Sequence, residues 1–506
     1  MTGHDRPAPD LDALGKHDSW EGVRAVVAGL GVSGFAAADN LTHLGARVTV
    51  LDEAVPDEGA DAERATLLEI LGAELRLGPG STATLPDDVD VVVTSPGWRP
   101  SSPLLVQTRE RGTPLWGEVE LAWRLDHHGS RPEDAPAPTP WLAVTGTNGK
   151  TTTTEMLDSI LRAAGLRSVA CGNVGMPVVE AVMTMPPANP PYDVLAVELS
   201  SFQLHYTQSV ACESAAVLNV AEDHLDWHGT LADYARDKGR VYQGVRRACV
   251  YNVADPRTEE LVREAEVVEG ARAIGFTLGI PAVGMLGLVD EVLADRAFIE
   301  QRRHSAAELC TLEDLASPAP HFVADALAAA ALARAHGVSQ AAVRDGLRSF
   351  QPGAHRIAEV GVVDGVRWID DSKATNPHAA TSSLQGYDPV VWVAGGLAKG
   401  ASFDELVGAV RSRLRGVVLL GRDREVIAEA LRRHAPEVRV IDVGGAETEE
   451  PPGKNAMDRV VEAAAGLAQP GDTVLLAPGC ASMDMFANYG ARGDAFAESV
   501  RRHRDR

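Results

Sequence analysis

The stretch Ala143–Thr153 constrains the fold of this chain more than any other. It reads Ala-Val-Thr-Gly-Thr-Asn-Gly-Lys-Thr-Thr-Thr and lies between an apolar run, 141–144, and a helical pattern over 152–164. A buried strand, a short loop bounded by glycines and a helix that begins at Lys and Thr are typical of a phosphate-binding loop. Glycines let backbone N–H groups approach phosphate oxygens, and the helix N-terminus adds partial positive charge. The sequence therefore predicts a nucleotide site on Gly146, Thr147, Asn148, Gly149, Lys150, Thr151 and Thr152.

Lysine is rare in this chain, since only six of the 47 basic residues other than histidine are lysines. An ammonium group is a compact charge that can lose its proton and react as an amine, which a guanidinium does not do. Two of the six, Lys16 and Lys454, lie in a tail and in a Pro/Gly loop, and we assign them no chemistry. The other four lie in segments with the character of a site, and we expect them to be functional: Lys150, Lys238, Lys373 and Lys399.

Composition restricts the class of protein. A chain of 506 residues predicts two to four domains, and a net charge of −24 argues against nucleic acid as the main partner. Five scattered cysteines without a C-x-x-C pair argue against a zinc ribbon or a disulfide framework. No apolar run is long enough for a membrane span, and the polar N-terminus does not resemble a signal peptide. We therefore expect a cytoplasmic protein with no membrane or nucleic-acid partner.

Short apolar strands alternate with helical stretches, which predicts an α/β fold with mainly parallel sheets. We expect three domains, 1–117, 118–352 and 353–506: a Rossmann-like N-terminal domain, a central domain of the P-loop ATPase type and a Rossmann-like C-terminal domain. Residues 127–140, dense in Pro, Ala and charge, predict a linker or an exposed excursion. Residues 1–20 and 444–455 are expected to be mobile.

A glycine-rich turn, Gly29-Leu-Gly-Val-Ser-Gly34, follows the first strand and opens a helix, and Asp52 ends the next strand. This is the outline of a dinucleotide-binding turn. Alone it leaves three readings open: nicotinamide binding, another nucleotide diphosphate, which we favour, or a purely structural turn. Ser95 follows a later strand and is expected at the same sheet edge.

Glu198 and His224 follow two central strands, beside the predicted phosphate loop. A carboxylate and an imidazole in that position suit a magnesium site. The alternative is that Glu198 caps a helix and His224 is an ordinary loop histidine. Lys238 lies on a helix 14 residues after His224, where a solvated charge is the alternative.

The C-terminal third contains Asp371-Ser-Lys-Ala-Thr-Asn376 after a strand, 366–369. His355-Arg356 precedes it, Lys399 follows a Gly-Gly turn, and Ala477–Ser482 ends another strand. Such groups are expected to hold a carboxylated amine and to close over a nucleotide.

Taken together, these motifs resemble those of the Mur ligases, the ATP-dependent amino-acid-adding enzymes of peptidoglycan synthesis. The resemblance covers nearly the whole chain and is strongest to the members that add D-glutamate to UDP-N-acetylmuramoyl-L-alanine. It rests on 29–34, 146–151, 198–204, 219–224, 355–356, 371–376 and 480–484. The Asp-Ser-Lys-Ala-Thr-Asn string discriminates best, because relatives that add diaminopimelate or lysine typically carry an Asp-Asn-Pro-Arg type sequence, which is absent here.

The resemblance implies an acyl-phosphate mechanism. ATP would be bound by the central loop, and two magnesium ions by Thr151, Glu198, His224 and Lys238, the last as a carbamate formed with CO₂. The catalytic residues would be Lys150, Glu198, His224 and Lys238. The resemblance also implies contacts to the UDP-substrate from Val32, Ser33, Asp52, Ser95, Asn173, Ser200 and Gln203, to D-glutamate from Thr375, Lys399, Ser482 and Tyr489, and to ATP from Asp325, His355, Arg356, Asp371 and Lys373.

Two features leave alternatives open. The family often shows His-Asn-x-x-Asn where this chain has His321-Phe-Val-Ala-Asp325. Phe322 cannot donate a hydrogen bond to adenine, whereas Asp325 can accept one from the adenine amino group. Tyr489 stands where phenylalanine is common.

The competing functions are a folylpolyglutamate synthase or another Mur ligase, a non-catalytic nucleotide-binding relative, and an NAD-dependent oxidoreductase. A monomer is expected.

Overall fold

The computed structural model describes residues 8–184, 191–444 and 454–505. The chain divides into two compact units. The first comprises the described residues of Met1–Asp314 together with Asp325–Ser349, and the second comprises those of Leu315–Ala324 and Phe350–Arg506.

The first sheet of the first unit has five parallel strands in the order β3-β2-β1-β4-β5. Its central strands β1 and β4 are apolar and almost wholly buried, as expected for a parallel sheet covered on both faces. The elements are β1 (Arg24–Ala28), α1 (Val32–His43), β2 (Arg47–Asp52), α2 (Ala60–Leu71), β3 (Glu74–Leu77), β4 (Val91–Thr94), α3 (Pro103–Glu110), β5 (Leu115–Gly117) and α4 (Glu118–His127).

The second sheet has nine strands in the order β14-β13-β12-β11-β10-β9-β6-β8-β7. Its strands are β6 (Trp141–Thr145), β7 (Ser168–Gly172), β8 (Val194–Glu198), β9 (Ser214–Val217), β10 (Ala248–Asn252), β11 (Arg272–Phe276), β12 (Met285–Val289), β13 (Val292–Asp295) and β14 (Ala307–Thr311). Only β12–β13 and β13–β14 pair antiparallel. The helices are α5 (Lys150–Ala163), α6 (Val178–Val182), α7 (Ser201–His205), α8 (Leu225–His228), α9 (Leu231–Gly239), α10 (Pro256–Glu264), α11 (Pro320–His336) and α12 (Gln340–Ser349).

The second unit contains a six-stranded sheet in the order β15-β16-β20-β17-β18-β19, parallel except for β15–β16. Its strands are β15 (Ala358–Val363), β16 (Val366–Asp370), β17 (Val390–Gly395), β18 (Leu414–Leu420), β19 (Arg439–Gly444) and β20 (Thr473–Leu476). Its helices are α13 (Pro377–Leu384), α14 (Asp404–Val410), α15 (Arg424–His434), α16 (Lys454–Leu467) and α17 (Tyr489–Arg504).

The predicted α/β class with mainly parallel sheets is confirmed. One hydrophobic core extends through both sheets of the first unit, while the sheet of the second unit has a core on each face. The domain boundaries at 117 and 352 stay a prediction, because contacts group the first two sheets into one unit.

The expectation of a mobile N-terminus is wrong for residues 8–20. Trp20 is fully buried, and the Lys16 ammonium donates to Asp126 at 2.6 Å and to the carbonyl of Val182 at 3.1 Å. The other carboxylate oxygen of Asp126 accepts from the backbone of Thr139, so the predicted excursion is anchored at its far end. Lys16 is therefore a buried structural cation. Residues 1–7 and 445–453, also expected to be mobile, lie outside the described residues.

In the part of the chain that the structure describes, no helix is both long enough and apolar enough to cross a membrane.

Candidate active site

The predicted phosphate loop connects the end of β6 to the start of α5. Gly149 is the N-cap of α5 and has a left-handed backbone, with φ of 83°. A Cβ atom at this position would lie 2.3 Å from a carboxylate oxygen of Asp325. Both the backbone angle and this close approach therefore require glycine at position 149.

The loop is held by the segment that follows β9. The amide N–H of Asn148 donates to the side chain of Asn219 at 2.9 Å, and the Asn219 amide donates back to the Asn148 carbonyl at 3.1 Å. The Thr147 hydroxyl accepts from the N–H of Ala221 at 3.0 Å. Because β6 and β9 are neighbours in the sheet, these bonds fix the loop before any ligand binds.

Two lysines converge on the loop. Nζ of Lys150 and Nζ of Lys238 both donate to the carbonyl oxygen of Gly146, at 2.9 and 2.8 Å. Lys238 is 1% exposed. Burial, and then the nearby charge of Lys150, lower the pKa of Lys238 well below its ordinary value. The structure thus favours a neutral amine at position 238.

Tyr234 lies one helical turn before Lys238 on α9, and its ring lies 4.4 Å from the Lys238 nitrogen. Its hydroxyl is 3.2 Å from the Thr147 hydroxyl, within hydrogen-bond distance. Burial raises the pKa of Tyr234 above its ordinary range, so the hydroxyl stays protonated. Tyr234 therefore connects the lysine-bearing helix to the loop.

Glu198 ends β8 at the same edge of the sheet as the loop, where it pairs in register with Val144. It is 1% exposed, and its Oε1 accepts from the Asn173 amide at 2.7 Å. Its Oε2 is buried without a hydrogen-bond partner among the described residues. A buried carboxylate oxygen left in this state fits a cation as its partner.

His224 is the N-cap of α8 and has a left-handed backbone, with φ of 53°. Its ring lies edge-on to Phe202, with centroids 4.8 Å apart. Thr151 and Thr152 are half-buried in the first turn of α5. Within the described ranges, no three His, Cys, Asp or Glu side chains are arranged to hold a metal ion. A magnesium site here would therefore need the Thr151 hydroxyl and a modified Lys238 beside Glu198 and His224.

The N-terminal glycine turn is closed by its own neighbours. A carboxylate oxygen of Asp52 accepts from the backbone of Leu30 at 2.8 Å, and the other accepts from Ala54. The Ser95 hydroxyl lies 2.7 Å from the position of a Cβ on Gly29, so a side chain at 29 would collide with it. Asp52 and Ser95 are thus brought together at the edge of the first sheet, as predicted. Val32 is half exposed at the start of α1, and Ser33 follows it.

Ser200 and Gln203 form a capping box at the start of α7. The Ser200 hydroxyl accepts from the N–H of Gln203, whose side-chain oxygen accepts from the N–H of Ser200. This box sets the direction of the chain directly after Glu198.

In the second unit, three neighbouring strands, β16, β20 and β17, end at one edge, and their loops carry the remaining predicted residues. Arg492, 1% exposed on α17, joins two of these loops. Its guanidinium donates to the hydroxyl and carbonyl of Ser372 at 2.9 and 2.8 Å and to the Cys480 carbonyl at 3.0 Å. Loops 371–376 and 480–482 are therefore held in one arrangement.

Lys373 and Tyr489 lie together at this edge, with the Lys373 nitrogen 4.0 Å from the centre of the Tyr489 ring. His355 has a φ of 63°, and its ring contacts the Asp370 carboxylate at 2.7 Å. Burial raises the pKa of Asp371 to about 6, although the Ser383 hydroxyl donates to it. Arg356 directly follows His355 and precedes β15.

The predicted D-glutamate residues occupy the same three loops. Thr375 is half-buried, Ser482 is 4% exposed, and Lys399 is exposed with a left-handed backbone, φ of 51°. A bridge between Leu397 and Ala481 connects the loops after β17 and β20.

The segment expected to contact adenine divides between the two units. Phe322 is buried near Phe350 in the second unit. Burial lowers the pKa of His321 to about 4. In the first unit Asp325 lies against Gly149, which brings it to the phosphate loop. Its assignment to adenine stays a prediction.

Three positioning residues were not singled out from the sequence: Asn219, Tyr234 and Arg492. Tyr234 could have been found, since a spacing of four places it beside Lys238 on one helix face. Asn219 lay within a quoted motif but was assigned no role. Arg492 had no local signal, because nothing near it in sequence distinguishes it from the other arginines of α17.

Comparison with known proteins identifies the family. The Mur ligase middle domain matches residues 144–333, and the Mur ligase glutamate ligase domain matches residues 355–480. The UDP-N-acetylmuramoylalanine–D-glutamate ligase of Streptomyces avermitilis is 59% identical over 96% of this chain and 99% of its own. The chain belongs to the Mur ligase family. The enzyme of the same name from Thermobifida fusca is 54% identical to this Mur ligase over 95% of this chain and 98% of its own.

Among solved structures, UDP-N-acetylmuramate–alanine ligase from Thermotoga maritima aligns with a TM-score of 0.54 at 19% identity. The alignment covers 95% of this chain and 99% of that structure. At this identity the comparison shows a shared Mur ligase fold.

Proposed function

We propose that this Mur ligase adds D-glutamate to UDP-N-acetylmuramoyl-L-alanine in an ATP-dependent, ADP-forming reaction of peptidoglycan precursor synthesis. One observation carries the proposal: Lys150 and Lys238 converge on one carbonyl of a phosphate-binding loop, beside the buried carboxylate of Glu198. The names of the relatives, at 54 and 59% identity, support the choice of substrates.

The first half of the reaction is a phosphoryl transfer. The carboxylate of the UDP-linked substrate attacks the γ-phosphorus of ATP and forms an acyl phosphate, while ADP leaves. Lys150, at the start of α5, offsets the negative charge that builds on the transferring group. Backbone N–H groups of the loop hold the phosphates.

In the second half, the D-glutamate amine attacks the acyl carbon, and phosphate leaves. Thr375, Lys399, Ser482 and Tyr489 are proposed to bind D-glutamate. Lys399 is exposed and suited to pair with a carboxylate. His355, Arg356, Asp371 and Lys373 are proposed to contribute to ATP binding.

Magnesium is the proposed cofactor, held by Thr151, Glu198, His224 and a carbamate on Lys238. When bound, it polarises phosphate oxygens and neutralises their charge. The residues fit this role, because Glu198 keeps one buried carboxylate oxygen without a protein partner among the described residues. The buried amine of Lys238 is suited to react with CO₂, and the product would be an anionic oxygen ligand at the place where two lysines now meet.

The UDP-substrate is assigned to the N-terminal turn and its neighbours: Val32, Ser33, Asp52, Ser95, Asn173, Ser200 and Gln203. The NAD alternative is not favoured, since relatives 54 and 59% identical to this chain are named as D-glutamate ligases. The enzyme is further proposed to be a cytoplasmic monomer, which light scattering on the purified protein would test.

The experiment measures phosphate release from ATP and Mg²⁺ with UDP-N-acetylmuramoyl-L-alanine and a panel of acceptors: D- and L-amino acids, meso-diaminopimelate and a folate substrate. We expect release only with the UDP-substrate and D-glutamate together. Release with another acceptor would assign the chain to a different reaction of the class. Nucleotide binding without release would favour the non-catalytic alternative.

A further inference from the structure

Beside the proposed catalytic residues, a chain of hydrogen bonds joins four side chains. Nε2 of His228 lies 2.9 Å from the Ser201 hydroxyl, and its Nδ1 lies 3.0 Å from Oδ2 of Asp237. The same Oδ2 lies 2.9 Å from Nδ1 of His205. None of the four belongs to the residues assigned above to ATP, magnesium or substrate.

The Asp237 carboxylate fixes the direction of two of these bonds. A carboxylate oxygen only accepts, so both imidazoles carry a hydrogen on Nδ1. Nε2 of His228 lies within hydrogen-bond distance of the Ser201 hydroxyl, which can either donate or accept. The His228 side chain is fully buried, and both of its nitrogens are used. A buried network satisfied in this way specifies one arrangement of the elements that it joins.

The network joins three short helices, each attached to a proposed metal ligand. Ser201 begins α7, three residues after Glu198. His228 ends α8, which begins directly after His224. Asp237 precedes Lys238 in the last turn of α9. Helices of five, four and nine residues do not hold their shape alone, so tertiary contacts must place them.

Aromatic contacts extend this support to His224. The Phe202 ring stacks on His228, with centroids 5.4 Å apart and planes at 9°. The His224 ring also contacts Phe202, edge-on and with the two ring centroids 4.8 Å apart. His224 has a left-handed backbone, which costs conformational energy in any residue but glycine and persists only where the surroundings hold it.

We propose that His228 is a positioning residue that holds Glu198, His224 and Lys238 in the geometry needed to bind the metal ion. This deepens the proposed function and rests on it. The order Ser201–His228–Asp237 is also that of a hydrolase triad. However, Ser201 is 3% exposed, so its hydroxyl has little access to a substrate.

The test compares two variants of the full chain with the wild type. His228→Phe keeps a ring against Phe202 and removes both hydrogen bonds. His228→Asn keeps an N–H near the position of Nδ1 and therefore the bond to Asp237. Binding of Mn²⁺ in the presence of ADP is measured by the loss of the free-ion EPR signal. Turnover is then measured across Mg²⁺ concentrations.

We expect His228→Phe to weaken Mn²⁺ binding about 10- to 100-fold, the range typical of residues that orient metal ligands, and His228→Asn to restore part of the loss. The KM for D-glutamate should not change. A matched control is His336→Phe, which breaks another histidine–carboxylate contact of the first unit, the 2.8 Å pair with Glu213. The control should bind Mn²⁺ as the wild type does.

Wild-type Mn²⁺ affinity in His228→Phe, or an equal loss in His336→Phe, would overturn the positioning role. Covalent labelling of Ser201 by a fluorophosphonate would also overturn it and would favour a hydrolase. If the wild type released phosphate with D-glutamate but bound no Mn²⁺, this inference and the assigned metal site would be wrong, while the proposed reaction would stand. Without phosphate release from any acceptor, the proposed function itself would be wrong.

Discussion

Lys150 and Lys238 donate to the same carbonyl oxygen, that of Gly146, although 88 residues separate them in sequence. Two cationic side chains at one acceptor repel each other, and Lys238 is the one that is fully buried. The repulsion is relieved if Lys238 is neutral, or if an anionic group lies between the two side chains. A bound phosphate group or a carbamate on Lys238 would supply that negative charge.

Lys238→Ala and Lys238→Arg should each lower phosphate release at least about 100-fold, because a stabilising group of the transition state is lost and a guanidinium forms no carbamate. Acetate or propionate should partly restore Lys238→Ala but not Lys238→Arg, whose side chain fills the space. Arg236→Ala, on the exposed face of the same helix, is the control and should remain active. Wild-type activity in Lys238→Ala at low CO₂ would contradict the carbamate.

Glu198→Gln should raise the Mg²⁺ concentration needed for half-maximal activity about 10- to 100-fold, since a neutral amide is a poorer ligand for a hard cation. The amide oxygen can still accept from Asn173, so the fold should not change. A Mg²⁺ titration of turnover measures the effect, with the exposed Glu110→Gln as control. An unchanged titration would remove Glu198 from the metal site.

Asn219→Ala should weaken ATP binding up to about 30-fold, since two hydrogen bonds to Asn148 are lost at about 1 kcal/mol each. Calorimetric titration with a non-hydrolysable ATP analogue gives the affinity. The affinity for the UDP-substrate is measured alongside and should not change. Equal losses for both ligands would indicate general unfolding instead of a loosened loop.

Glu118 predicts a pH-dependent stability. Burial, against a 2.7 Å hydrogen bond from the backbone of Val179, raises the pKa of Glu118 to about 7 from an unfolded value of 4.5. Between these values the unfolded chain has released a proton that the folded chain keeps, so this carboxyl destabilises the fold as pH rises. Glu118→Gln should therefore gain on the order of 3 kcal/mol over wild type between pH 5 and pH 8. Urea unfolding of both proteins at pH 5 and at pH 8 measures this change in relative stability. The same difference in unfolding free energy at the two pH values would refute the expectation.

Lys16→Met should destabilise the protein by about 3–5 kcal/mol, because it leaves the buried carboxylate of Asp126 without its cation. The matched control is Arg64→Met, which breaks an exposed pair with Asp61 and should cost less than about 1 kcal/mol. Thermal unfolding of both variants gives the comparison. Similar costs would mean that the N-terminal segment is not packed as described.

Much of the fold could be predicted because its signals are local. Apolar strands followed by helical patterns indicated a parallel α/β protein, and the strand–loop–helix at 141–163 was recognised from residue types alone. The mobile N-terminus was predicted wrongly for residues 8–20. Lys16 is held there by Asp126 and Val182, which are distant in sequence, so no local pattern indicates these partners.

The sequence by itself determined the residue types of the site: a glycine-bounded loop, a carboxylate and a histidine after strands, and lysines kept where arginine is the rule. Strand order in the sheet decided that Glu198 and Gly146 lie at one edge, since parallel strands bring their carboxyl ends together. The packing of α9 then brings Lys238 to the Gly146 carbonyl. Only the tertiary structure decided which groups are buried, and hence which pKa values are displaced. Desolvation depends on the atoms that surround a group in space, and those surrounding Lys238 and Glu118 come from distant parts of the chain.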